Sequence, residues 1–118
     1  MTDDPRMYLW DIQKASDAIA RFTLTLDQDA YRADERTRSA VERKFEIIGE
    51  ALNQLSRNSP DVARRIPDLP SIVAFRNLLI HGYATVDDRN VWLNIQQKLP
   101  GLVATVDQIL DELGGPDE

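Results

Sequence analysis

At 118 residues the chain can bury one hydrophobic core but not two, so a single domain over residues 1–118 is expected. It carries no cysteine and a net charge of −6, which excludes a disulfide framework, a thiolate metal site and the broadly basic surface of a general nucleic-acid coat. No apolar run approaches the ~20 residues of a membrane span. Met1 to Arg6 also lacks the basic-then-apolar order of a secretory leader, so a cytoplasmic protein without membrane association is expected.

In chain order, Asp4 and Pro5 give an N-cap and first-turn signal. Leu9, Ile12, Ala15, Ile19, Phe22 and Leu26 then recur at three- and four-residue steps, predicting an amphipathic helix from Pro5 to about Thr25. Tyr8 and Trp10 near its start read as packing residues. Asp27 to Asp34 is polar and reads as a turn or a single helical turn. Asp34 can cap a longer helix with Val41, Phe45, Ile48, Leu52 and Leu55 as its buried stripe and Asn58 near its end. On that helix Gly49 would let another helix approach closely, and the adjacent Glu50 either salt-bridges Arg76 or points away from it. Glu46 and Glu50 share a face. However, metal-binding bundles usually pair such carboxylates with a Glu-x-x-His, and the lone histidine has no glutamate three residues before it, so no metal site is expected.

Ser59-Pro60-Asp61 starts a short helical turn, and Pro67 and Pro70 bracket a loop. From Ile72 to Ile80 the chain is apolar almost all round, the signature of a helix buried in a core or a subunit interface. After Tyr83, Asp87 caps a helix in which Val91, Trp92, Ile95 and Leu99 face inward, and Pro100 kinks or restarts it. Leu102, Val103, Val106, Ile109, Leu110 and Leu113 continue the stripe until Gly114-Gly115-Pro116. No segment alternates like a strand. The fold expected is all-α, a compact bundle of about four main helices with up-and-down connections.

Within the apolar stretch stand Arg76, Asn77 and His81, the last being the only histidine. Polar groups in such a setting need a partner or a job. At about 100° per residue Asn77 and His81 share a face, whereas Arg76 lies roughly 140° round from His81. Gly82 fits the position where a left-handed residue ends a helix. A histidine that titrates near neutrality, an arginine able to hold phosphate and a tyrosine past the helix end suit phosphoryl chemistry without a metal. A lone histidine at a helix end is, by itself, more often a cap or a core hydrogen-bonder. The other cations are mostly arginines: Arg32, Arg36, Arg38, Arg43 and Lys44 early in one helix, Arg57, Arg64 and Arg65 past its end. They read either as solvated faces or as a phosphate track.

Arg76, four intervening residues, His81, one residue and Tyr83 form R-x4-H-x-Y, and here the chain resembles the HepT-like toxins, small helical ribonucleases of the HEPN superfamily. Ala40 to Ala51 resembles that family's second helix; Val86 to Trp92 and Leu99-Pro100-Gly101-Leu102 resemble its final segment. The resemblance implies a HEPN-like bundle and an RNA-cleaving homodimer without cofactor. In it Arg76 and His81 would be catalytic and Asn77 would orient the imidazole or a phosphate oxygen; Glu50, where it meets Arg76, would support them. It also implies a toxin neutralised by a partner nucleotidyltransferase that adds AMP to Tyr83. The alternative is a non-catalytic HEPN-type binding module that partners a nucleotidyltransferase.

Overall fold

Aspartate side chains open four of the helices. Asp4, Asp27, Asp34 and Asp87 accept from the backbone N–H of Arg6, Ala30, Thr37 and Arg89, respectively, satisfying donors that the first turn of a helix leaves open. The structure is a computed structural model that describes residues 4–82 and 86–114. Its elements are α1 (Pro5–Thr23), α2 (Gln28–Ala33), α3 (Glu35–Asn58), α4 (Pro60–Ala63), α5 (Leu69–His81), α6 (Asp88–Gln97) and α7 (Leu99–Leu113). The described residues contain no strand, so the fold is all-α.

The long α3 is the spine. It packs on α1 along one side and on α5 along another; α7 lies against α1 and α6. The core is built from the periodic apolar positions. Leu9, Ile12 and Ile19 of α1 meet Val41, Phe45, Ile48, Leu52 and Leu55 of α3, with Leu102, Val106 and Ile109 of α7. Each is a position where truncation to alanine typically costs about 2–5 kcal/mol through lost contacts and a residual cavity.

One detail of the apolar pattern comes out differently, and one left open is decided. Phe22 is 37% exposed, because it lies off the face that Ile19 and Thr23 bury at the end of α1, and Leu26 lies beyond the helix. Pro100 restarts the chain rather than kinking it: α6 stops at Gln97, Lys98 intervenes, and Pro100 occupies the first turn of α7. Tyr31, on the short α2, is fully buried and packs at a tilt against Trp92 of α6 with ring centroids 5.4 Å apart. Arg65 clamps Glu112 through two bonds of 2.9 and 2.6 Å, tying the approach to α5 to the far end of α7. Among the described residues no helix is long and apolar enough to cross a membrane.

Candidate active site

The site is carried by α5. Asp68 adopts a left-handed backbone (φ 59°) just ahead of it, and Pro70 sits in its first turn. Ile72, Phe75 and Leu79 point into the bundle, and Phe75 meets Phe45 of α3 edge-on at 5.2 Å. Of the two settings expected for this helix, core or subunit interface, the single chain supplies a core for one face only. Ala74, Asn77, Leu78 and His81, which recur at helical spacing on another face, are all exposed. Three inward positions suffice to pack α5 on α3, and the single chain supplies no neighbour for the rest. Leu78 and Ile80 are left 39% and 36% exposed.

Arg76 leaves α5 toward α3 and crosses it at Gly49. A β-carbon on Gly49 would lie 2.3 Å from Cβ and 2.4 Å from Cγ of Arg76, so only glycine admits the arginine stem there. The glycine thereby sets the depth at which the guanidinium lies. Its Nη2 donates to Oε2 of Glu50 at 2.9 Å and its Nη1 to Oδ1 of Asn77 at 2.9 Å. Glu50 accepts a further bond at Oε1 from Gln54, at 3.0 Å. The Arg76 side chain is 21% exposed, and its Nε is buried without an acceptor. The guanidinium is thus fixed in orientation yet retains donors for an anion.

Of the residues singled out in the sequence, the fold therefore brings Arg76, Asn77 and Glu50 together. Asn77 bonds Arg76, and no bond to the imidazole of His81 is present. His81 is the last residue of α5, exposed, on the same strip as Asn77. Gly82 does end the helix, but with φ −121° rather than a left-handed backbone. Its N–H bonds Leu78 O at 2.8 Å, so the helix closes with an ordinary backbone bond and needs no reversal at that residue. Tyr83 lies outside the described residues.

A cavity of about 280 Å³ adjoins Arg76 between α1, α3 and α5. Tyr8 and Asp11 from α1, Glu46 and Ile47 from α3, and Ile80 from α5 line it beside Arg76 and Glu50. Sequence reading treated Tyr8 as packing and had no signal for Asp11 at all. Both join the site only because α1 lies across α3. Gln54 could have been found as an i,i+4 partner of Glu50.

The arginines proposed as a phosphate track are in good part spoken for. Arg38 pairs with Asp88 at 3.6 Å, Arg43 with Glu46 at 3.4 Å, Arg64 with Asp61, and Arg65 with Glu112. Arg36, Arg43 and Arg57 recur every seven residues with Glu50, and so follow one face of α3 past Arg76.

Comparison with known proteins gives the same reading. The sequence matches the family described as "Ribonuclease HepT-like" over residues 12–109. A Thermococcus cleftensis protein named "Probable ribonuclease HepT" is 37% identical over 98 residues, covering 80% of this chain and 86% of that one. "Putative RNase MJ0127" of Methanocaldococcus jannaschii is 30% identical over 117 residues, covering 98% of this chain and 94% of the relative. No solved structure matches the chain. With the match spanning most of its length, the chain belongs to the HepT-like ribonuclease family of the HEPN superfamily.

Proposed function

We infer that this protein is a metal-independent endoribonuclease that acts as a homodimer, the toxin of a toxin–antitoxin pair. The observation that carries the reading is the fixed guanidinium of Arg76, held by Glu50 and Asn77, five residues before an exposed histidine on the same helix. The 2′-hydroxyl of RNA would attack the adjacent phosphorus while a base removes its proton. The bond to O5′ then breaks as an acid protonates the leaving oxygen, giving a cyclic phosphate and a free 5′-hydroxyl. Arg76 would neutralise the charge developing on the phosphoryl oxygens.

One imidazole cannot readily be base and acid in the same step, but two facing each other can divide the work. A two-fold dimer through the exposed Ala74, Asn77, Leu78 and His81 strip would bring two such imidazoles together and cover the apolar surface left on α5. A partner nucleotidyltransferase would silence the enzyme by transferring AMP from ATP to the Tyr83 hydroxyl, releasing pyrophosphate.

The deciding experiment is cleavage of RNA by wild type, His81→Ala and Arg76→Ala, each checked for helical content. Loss of a general acid–base group should lower the rate by about 10²–10⁴-fold, and cleavage by wild type should persist in chelator. A folded His81→Ala protein that cuts RNA at the wild-type rate removes the mechanism.

A further inference from the structure

The cavity beside Arg76 is not explained by phosphate chemistry. Anything seated there would lie within one nucleotide of the reacting phosphate, because Arg76 and Ile80 form its wall and His81 follows Ile80. Yet its polar lining includes the carboxylates of Asp11, Glu46 and Glu50 beside only two guanidinium groups, each already facing a carboxylate. A phosphate would be repelled there. A neutral group rich in hydrogen-bond donors would not.

Glu46 narrows the choice. Its side chain is only 27% exposed, and its ion pair is a long 3.4 Å contact to Nη1 of Arg43, itself 69% exposed and free to swing away. The other carboxylate oxygen has no hydrogen bond among the described residues. A carboxylate only accepts, so it matches two donors side by side. Among RNA bases only the Watson–Crick edge of guanine offers this, with N1–H next to the exocyclic N2–H. Adenine and cytosine set one amino donor next to an acceptor nitrogen, and uracil flanks its imino donor with carbonyls. Ile47, Ala51 and Ile80 supply the apolar surface and Tyr8 the aromatic wall that an unstacked base requires. At about 280 Å³ the cavity falls just short of the roughly 300–1,000 Å³ of drug-sized sites, which suits a single base.

We propose that this cavity is a guanine-recognition pocket, with Glu46 accepting from the Watson–Crick edge, and that it selects where the RNA is cut. The assignment rests on the ribonuclease reading above. A bidentate base contact is worth about 1–3 kcal/mol of discrimination, a factor of roughly 5–150.

The test uses deoxyribonucleotide oligomers carrying one ribonucleotide, so that a single phosphate is cleavable, with the bases on either side of it varied in turn. It is paired with equilibrium binding of guanosine 5′-monophosphate to the full chain, followed by NMR. Guanine on one side of the scissile phosphate should raise kcat/KM by at least about fivefold. Glu46→Gln should flatten that preference and weaken guanosine monophosphate binding. Equal cleavage at all four bases, without Glu46-dependent nucleotide binding, overturns the pocket and leaves the ribonuclease standing. Glu46-dependent binding without cleavage of any oligomer supports the pocket and overturns the ribonuclease. Absence of both overturns both.

Discussion

The stem of Arg76 lies directly over the α-carbon of Gly49, so close that a β-carbon there would fall 2.3 Å from its own Cβ. This contact sets how near α5 lies to α3 and therefore where the guanidinium meets Glu50.

Gly49→Ala tests that contact. Replacing a mid-helix glycine ordinarily gains up to about 1 kcal/mol of helix propensity, but forcing a methyl into a filled site typically costs about 1–3 kcal/mol. The clash involves the root of the arginine, which cannot swing aside, so α5 must move. The variant should stay helical, melt at or below the wild-type temperature and cleave RNA at least about tenfold more slowly, because misplacement of about 1 Å can cost up to ~10² in rate. Unchanged cleavage would mean that the arginine's position is not critical.

Glu50 is a positioning residue in this reading. The pair it forms with Arg76 is half open to solvent, Glu50 being 48% exposed, so Glu50→Ala should change stability by less than about 1 kcal/mol. Its effect should appear in kcat with KM little altered, and Glu50→Gln, which keeps a hydrogen bond to Arg76, should recover part of the loss. A purely structural role would show instead as a lowered melting temperature with unchanged kcat.

The proposed dimer predicts a surface-specific effect. Leu78 is 39% exposed in the single chain. Leu78→Glu should therefore leave the fold intact and convert a dimer to a monomer by sedimentation, with loss of cleavage. Phe75 and Leu79 are buried within one chain, so a dimer is not needed to cover them. A wild-type protein that sediments as a monomer at micromolar concentration removes the two-histidine site.

Glu42 gives a pH signature. Its carboxyl is pushed above the ordinary glutamate range, chiefly by burial and next by the neighbouring Asp88. The folded state then holds this proton more tightly than the unfolded chain does. Stability contributed by Glu42 is full below the unfolded value of about 4.3 and falls as pH rises toward the folded value. Glu42→Gln should accordingly melt higher than wild type at neutral pH, with the gap closing as the pH drops below that of an ordinary glutamate. A gap that is constant with pH would refute the assignment.

Tyr83→Phe removes only the proposed acceptor oxygen. It should retain much of the nuclease activity while escaping the partner nucleotidyltransferase, with no added AMP by intact-protein mass spectrometry on co-expression. In the modified wild-type protein the adduct would act by placing bulk and negative charge where the RNA phosphate is proposed to meet Arg76. A Tyr83→Phe protein that is modified and silenced like wild type excludes this tyrosine as the switch.

Local chemistry made the helices legible in advance. Asp4, Asp34 and Asp87 announce starts, prolines mark first turns, and the stripes of α1, α3 and α7 follow from i,i+3 and i,i+4 spacing alone. The spacing of Arg76, His81 and Tyr83 belongs to the same category, since it is a property of one short segment. The relation between helices does not. Periodicity tells which residues a helix can bury, but not its rotation and depth against a neighbour, which the side chains of both helices settle together. Hence Ile72 to Ile80 read as buried in a core or an interface, without showing that Ile72, Phe75 and Leu79 are the positions the single chain buries. Hence also Glu50 and Arg76, 26 residues apart, could be paired only once Gly49 had let the two helices close together. The cavity wall from Tyr8 and Asp11 depends on a third helix crossing the pair, a long-range packing outcome with no local signal.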